Sequence, residues 1–234
     1  MSTTRRFESS IFYKFMEQAQ YSDKRIVICG LGGIGSNTFY NISKSLPNST
    51  LVLVDFDVVE EHNVGTQYFS NSDLQKFKAE ALKSKAENFK GNVESVIVEI
   101  NKVTTLPHLN NNLITIACFD NMEARRDLFE IWKKNTNPNK IFIEGRLAAT
   151  QYEIYVVFPG REEEYEKTLF EDNEQTLGKL CTFQQTAHYG MAIGSRITQI
   201  VCNHISNLYH KEKIYRVPYY YREIGDLFQI TIKD

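Results

Sequence analysis

Four glycines fall within the six residues Gly30-Leu31-Gly32-Gly33-Ile34-Gly35, directly after the apolar run Ile26-Val27-Ile28-Cys29. Glycine allows the backbone to turn tightly and to approach a phosphate where a Cβ would clash. The amides that open the following helix then face the anion. A second apolar run, Leu51-Val52-Leu53-Val54, ends at Asp55, 20 residues after Gly35. Strand, glycine turn, helix, strand and acid is the order in which a βαβ unit holds a nucleotide, with the acid accepting hydrogen bonds from the ribose. Gly30, Gly32, Gly33, Ile34, Gly35 and Asp55 are therefore candidate nucleotide ligands.

Further polar residues follow in sequence. Asp57, Asn63, Gln67 and Lys78 come after the second strand, and Asp120-Asn121 closes a later one, with Arg125 a helical turn beyond. A lysine supplies a compact positive charge for phosphate, and an aspartate is a hard oxygen ligand for Mg²⁺. Each has a plainer reading. Asp55 could cap the following turn, Lys78 could join Lys76, Lys83 and Lys85 on a solvated face, and Asp120 could cap the next helix. Arg125 could pair with Glu123 or Asp127 on that helix's surface.

The elements that must position these residues are legible from periodicity. Ile11, Phe12, Phe15, Met16 and Ala19 lie near helical spacing and predict an amphipathic helix over 8–20. A strand at 25–29 leads to a helix at 34–46, ended by Pro47. A strand at 50–55, an irregular polar stretch at 56–72 and a lysine-rich helix at 73–89 come next. Strands at 94–99 and 113–118, a helix at 122–134 and a strand at 141–144 continue the alternation. It then changes to a strand at 152–158, a long helix at 184–209 and two short strands at 216–222 and 227–232. The pattern predicts an α/β fold, a Rossmann-like, mainly parallel sheet with helices on both faces, extended by antiparallel C-terminal strands. One domain is expected over 1–234, with an N-terminal helical segment at 1–24 and a mobile crossover loop at 160–183.

A formal charge of −2 with no basic block gives no electrostatic footprint for nucleic acid. No apolar run approaches the roughly 20 residues of a membrane span. The opening Met1-Ser2-Thr3-Thr4-Arg5-Arg6-Phe7 lacks the apolar region of a secretory signal, which predicts a cytoplasmic protein. Cys29, Cys118 and Cys202 sit in apolar runs and are expected to pack as small hydrophobes. No Cys-x-x-Cys pair offers a zinc site of that type. Cys181 differs, because it lies in a polar loop ahead of a helix.

The ordered set of Gly-x-Gly-Gly-x-Gly-Ser at 30–36, Asp-x-Asp-x-Val at 55–59, Asn-x-x-x-Gln at 63–67, Phe77-Lys78-Ala79-Glu80 and Asp-Asn-x-x-x-Arg at 120–125 covers most of the chain. Over about residues 25–205 it resembles the superfamily of ThiF, MoeB and the adenylation domains of ubiquitin-activating enzymes. That resemblance implies ATP and Mg²⁺, a homodimer, and adenylation of the C-terminal carboxylate of a ubiquitin-like or sulfur-carrier protein. Attack of a carboxylate on the α-phosphate brings two anions together and needs cationic screening and fixed geometry. Lys78, Asp120 and Arg125 are the implied catalytic residues, with Asp120 as the metal ligand. Asp57, Asn63, Gln67 and Asn121 complete the implied binding set, Asn63 and Gln67 orienting phosphate or ribose.

The chain departs from the family at one position. Thr66 stands where an arginine commonly precedes the glutamine, and a hydroxyl cannot replace a guanidinium at the phosphates. Arg5, Arg6 and Arg146 are candidates to take over. The segment Leu180-Cys181-Thr182-Phe183 resembles the catalytic-cysteine region of short activating enzymes, which implies a thioester on Cys181; a helix N-terminus favours the thiolate. His188 could assist, or be structural. A non-catalytic subunit of the same fold is the alternative that Thr66 keeps open. A nicotinamide-dependent oxidoreductase is another, but it leaves Asp57, Asn63, Lys78 and Asp120 unexplained.

Overall fold

The computed structural model describes residues 25–86, 89, 91–170, 187–209 and 215–234. Eight strands form one sheet in the order β3-β2-β1-β4-β5-β6-β7-β8. They are β1 (Arg25–Cys29), β2 (Thr50–Val54), β3 (Asn92–Val96), β4 (Ile114–Ala117), β5 (Ile141–Ala148), β6 (Gln151–Val157), β7 (Tyr220–Ile224) and β8 (Gln229–Lys233). β1 to β5 pair in parallel, whereas β5–β6, β6–β7 and β7–β8 pair antiparallel. The helices are α1 (Gly33–Ser45), α2 (Lys78–Ser84), α3 (Met122–Lys133), α4 (Glu162–Glu166) and α5 (Ala187–Tyr209).

The apolar runs of β1 and β2, and of β4 around the buried Thr115, follow from burial on both sheet faces. Along β1, Ile26 and Ile28 pack with Phe39 and Ile42 of α1 and with Ile193 and Ile197 of α5. Val27 and Cys29 point the other way, towards Leu128, Phe129 and Trp132 of α3. α1 and α5 lie side by side, and two glycines of α5 permit it. A Cβ on Gly194 would stand 2.9 Å from the Thr38 amide nitrogen, and one on Gly190 would stand 2.9 Å from the Gly33 carbonyl oxygen. α3 ends on a buried cation, because Lys140 Nζ donates to the carbonyls of Trp132, Lys133 and Asn135 at 3.0, 2.9 and 2.7 Å. A cation there also suits the negative end of the helix dipole.

Several element bounds differ from those read in the sequence. β5 runs past Glu144 to Ala148 and turns through Ala149, at φ 52°, straight into β6. Gly145, just past the strand read at 141–144, is buried within β5, where a Cβ would lie 3.1 Å from Ile193 and Ile197 of α5. α2 starts at Lys78 rather than at 73, because a 3₁₀ turn at Asn71–Asp73 closes on itself through Ser70 and Asp73. β3 spans Asn92–Val96, so residues 97–101 become a loop at its C-terminal end. Within the charged stretch after β6, Glu162–Glu166 forms the short α4 around the buried Tyr165. The final strands β7 and β8 lie later in the chain than read, around a turn at Gly225–Leu227. Among the described residues no helix is long and apolar enough to cross a membrane. The N-terminal helix read at 8–20, residues Arg5 and Arg6, and most of the crossover loop, 171–183, lie outside the described residues.

Candidate active site

Between β1 and β4 the strand order reverses direction, and chain segments leaving the two strands diverge to opposite sides. In a doubly wound sheet that switch point, at the carboxyl ends of the strands, is where ligands bind. A cavity of about 580 Å³ opens there. It is built from the residues that follow β1, β2, β3 and β4.

The glycine turn forms the first wall. Gly30 sits at φ +82°, a conformation that favours glycine. A Cβ on Gly35 would stand 1.9 Å from the Gly30 carbonyl oxygen, so the turn and the first turn of α1 close on each other only without side chains. Gly32 has open space over it, its nearest neighbour being Gln67 Nε2 at 3.9 Å from an ideal Cβ. Ser36 fastens the turn to the next loop, donating to the Gly32 carbonyl at 2.7 Å and accepting from the Tyr68 amide at 3.1 Å.

Asp55 joins the turn to β2. Its Oδ2 accepts from the Leu31 amide at 2.6 Å and its Oδ1 from the Asp57 amide at 2.8 Å. Burial raises its pKa above the ordinary aspartate value, opposed by the nearby Lys78 charge and by these two amides. Thus Asp55 does secure a turn, as its plainer reading has it, and still lines the cavity.

Lys78 is not on a solvated face: the residue is 7% exposed and lines the cavity. Its Nζ bonds Asp57 Oδ2 at 2.7 Å, and its amide donates to the Asp57 carbonyl at 2.9 Å. Asn63 is buried and accepts from the Glu60 amide at 2.9 Å, which shapes the polar loop. Gln67 faces the glycine turn, and its Oε1 is buried without a hydrogen-bond partner. Such an orphaned polar atom at a cavity wall suits a ligand that donates to it.

On the far wall, the N-cap of α3 is Asn121, whose Oδ1 accepts from the Ala124 amide at 2.8 Å. Asp120 is therefore exposed at the end of β4, facing the cavity without a capping duty. Among the described residues no group of three His, Cys, Asp or Glu side chains could hold a metal ion. A Mg²⁺ ion at Asp120 would complete its shell with phosphate oxygens and water, its ordinary habit at nucleotide sites.

Arg125 pairs with neither Glu123 nor Asp127. Its Nη1 lies 2.8 Å from Oε1 of Glu144, and its Nε and Nη2 donate to the Phe119 carbonyl. Glu144, fully buried on β5, also receives Arg146, whose Nε and Nη2 reach its two oxygens at 2.6 and 2.8 Å. Burial alone would raise the Glu144 pKa, but Arg125 and Arg146 outweigh it and hold it below the ordinary value.

The cavity thus gathers Gly30, Gly32, Gly33, Ile34, Asp55, Asp57, Asn63, Gln67, Lys78, Asp120, Asn121 and Arg125. Gly35 lies behind the wall as a packing glycine. Thr66 turns away, its hydroxyl donating to the His62 and Asn63 carbonyls at 3.0 and 3.3 Å. Arg146 is spent on Glu144 and does not line the cavity. Cys181 lies outside the described residues, and His188 is exposed beside Tyr189 at the start of α5. Cys29, Cys118 and Cys202 are buried free thiols; burial pushes Cys118 up to about 12, which suits packing and not attack. Sequence reading missed Val98, Glu99, Ile100 and Asn101, which complete the lining once β3 ends at Val96. It also missed Glu144 as the partner of Arg125, since nothing in the spacing of a strand residue and a helix residue announces a shared pair.

Comparison with known proteins agrees with the fold. The model of the ThiF family matches residues 7–224. Escherichia coli MccB solved with succinimide superposes at TM-score 0.73 and 19% identity, covering 97% of this chain and 71% of its own. PaaA superposes at TM-score 0.68 and 16% identity, over 100% of this chain and 84% of its own. Escherichia coli MccB solved with AMPCPP and MccA gives TM-score 0.69 and 18% identity, over 100% and 72% of the two chains. No curated protein sequence matches the chain.

Proposed function

The chain belongs to the ThiF family, and from that premise we propose that it adenylates the C-terminal carboxylate of a peptide or small carrier protein with ATP. The observation that carries the reading is one cavity at the sheet's switch point, holding the glycine turn, Asp55, the Lys78–Asp57 pair, Gln67, Asp120 and Arg125 together. The MccB structures with ATP and with AMPCPP and MccA support a nucleotide and a peptide meeting on this fold.

The glycine-turn amides and the N-terminus of α1 receive the phosphates. Asp55, both of whose oxygens already hold backbone amides, keeps free lone pairs for the ribose hydroxyls. Lys78, fixed by Asp57, screens the α-phosphate as the substrate carboxylate approaches. Asp120 would hold Mg²⁺, which would supply charge neutralisation at the phosphates. A carboxylate oxygen attacks the α-phosphorus, the bond from that phosphorus to the bridging oxygen breaks, and pyrophosphate leaves. In a second step the Cys181 thiolate attacks the acyl carbon, AMP leaves, and a thioester forms. The carrier is a ubiquitin-like or sulfur-carrier protein, the enzyme a cytoplasmic homodimer, and one domain spans the chain.

Titration calorimetry separates this from a nicotinamide enzyme. MgATP should bind and NAD⁺ should not; tight NAD⁺ with no ATP binding would overturn the proposal. For the cysteine step, intact mass after adding ATP and carrier should show a thiol-labile adduct that Cys181→Ala lacks. An adduct surviving that change places the nucleophile elsewhere. Thr66, turned from the cavity, favours a second reading, a nucleotide-binding subunit that supports a catalytic partner. It predicts ATP binding without turnover.

A further inference from the structure

Arg146 lies behind the cavity wall, and the chemistry above does not use it. It shares the Glu144 carboxylate with Arg125, and the side chains of Glu144, Arg125 and Arg146 are only 0, 7 and 13% exposed. Two guanidiniums and one carboxylate leave a net charge of +1, where water screens poorly. One carboxylate cannot neutralise both cations, so Arg125 borders the cavity with part of its charge uncompensated.

Arg125 and the glycine turn line the same cavity and meet the same segment, Cys118–Phe119. The Phe119 carbonyl that Arg125 holds belongs to the Cys118–Phe119 pair, and a Cβ on Gly30 would lie 2.9 Å from the Cys118 carbonyl and 3.0 Å from the Phe119 ring. The remaining lining offers little positive charge. Lys78 is matched by Asp57 at 2.7 Å, and Glu99, Asp120, Glu123 and Asp127 add carboxylates. Thr66 gives none.

We propose that Arg146 is a positioning residue for the nucleotide phosphates: by holding Glu144 it prevents that carboxylate from neutralising Arg125, and so keeps a net positive charge beside the glycine turn. The inference rests on the ATP reading above. Arg146 also ties the chain structurally, donating to the Thr168 carbonyl and hydroxyl at 3.1 and 3.0 Å and stacking over Tyr155 at 4.4 Å. The test must therefore separate charge from packing.

Calorimetric affinities for ATP and for adenosine do so, in wild type, Arg146→Gln, Arg146→Lys and the double variant Glu144→Gln/Arg146→Gln. Gln carries no charge and stops short of Thr168, so Arg146→Lys, which also gives up the guanidinium fork but keeps the charge, controls for the lost packing. Arg146→Gln should weaken ATP on the order of tenfold and adenosine by about twofold or less, because only the phosphates meet the field. Arg146→Lys should retain most ATP affinity. The double variant restores a cluster charge of +1 through Arg125 alone and should return ATP binding towards wild type. The double variant leaves Arg125 without its carboxylate, so where the Gln variants do not fold the test passes to Arg146→Lys, and loss of ATP affinity relative to adenosine in that variant overturns the proposal. An unchanged ratio of ATP to adenosine affinity in Arg146→Gln overturns the proposal, as does a double variant that binds ATP no better than the single one. A wild-type chain that binds no ATP overturns the underlying reading and this inference together.

Discussion

Lys78 illustrates how a residue's environment decides between two roles that its sequence neighbours allow. Lys76, Lys83 and Lys85 suggested a solvated row, but the start of α2 at Lys78 turns this one side chain inward onto Asp57. Lys78→Met should weaken MgATP about tenfold or more by calorimetry, with a small effect on stability because its partner Asp57 keeps access to water. Glu144 gives a prediction in pH. Its folded pKa lies below the ordinary 4.5, so its pairing stabilises the fold above that value and the stability is lost as pH falls through the folded pKa. Glu144→Gln should cost about 3 kcal/mol at pH 7 in urea unfolding, since two buried guanidiniums lose their partner. The gap to wild type should shrink as pH is lowered below 4.5. A gap that stays constant would show that Glu144 is not ionised in the fold. The cavity-lining residues were readable because glycines, acids and a lysine occur in a fixed order; Glu144 was not, because its partners come from a distant helix and from its own strand.

Helices and strands were legible wherever one period dominated. The parallel core was read closely, since β1 and β2 carry apolar runs and β4 is interrupted only by the buried Thr115. The β5–β6 hairpin was read as two separate strands, 141–144 and 152–158, whereas Gly145 continues β5 where α5 crosses it closely. Crossing of helices makes a related prediction. Gly190→Ala would press a methyl on the Gly33 carbonyl behind the glycine turn, so it should lower thermal stability and ATP affinity together. Gly194→Ala, which presses on Thr38 further along α1, should cost about 2 kcal/mol with a smaller effect on ATP. Equal losses of affinity would contradict the view that the first turn of α1 carries the phosphates. At the other end of α3, Lys140→Met should destabilise by about 2 kcal/mol, measured as a lower urea midpoint with unchanged slope, because three buried carbonyls lose their donor.

For the whole molecule, the sheet order places four loops around one cavity; the alternation of strand and helix conveyed a mainly parallel sheet, not that order. It could not convey which cations remain unpaired, since that depends on contacts between distant segments. Ligand linkage follows from the same cavity: ATP at 100 times its dissociation constant should raise stability by about 2.7 kcal/mol, and a tenfold weaker Lys78→Met should keep only about 1.4 kcal/mol of that gain at the same concentration. The most direct test of the central claim is exchange of labelled pyrophosphate into ATP, with a carrier whose binding to the chain has been verified. The account predicts exchange that needs the carrier's free C-terminal carboxylate and that stops when this end is amidated. Absence of exchange, with ATP and carrier both bound, would contradict it and identify the chain as a supporting subunit.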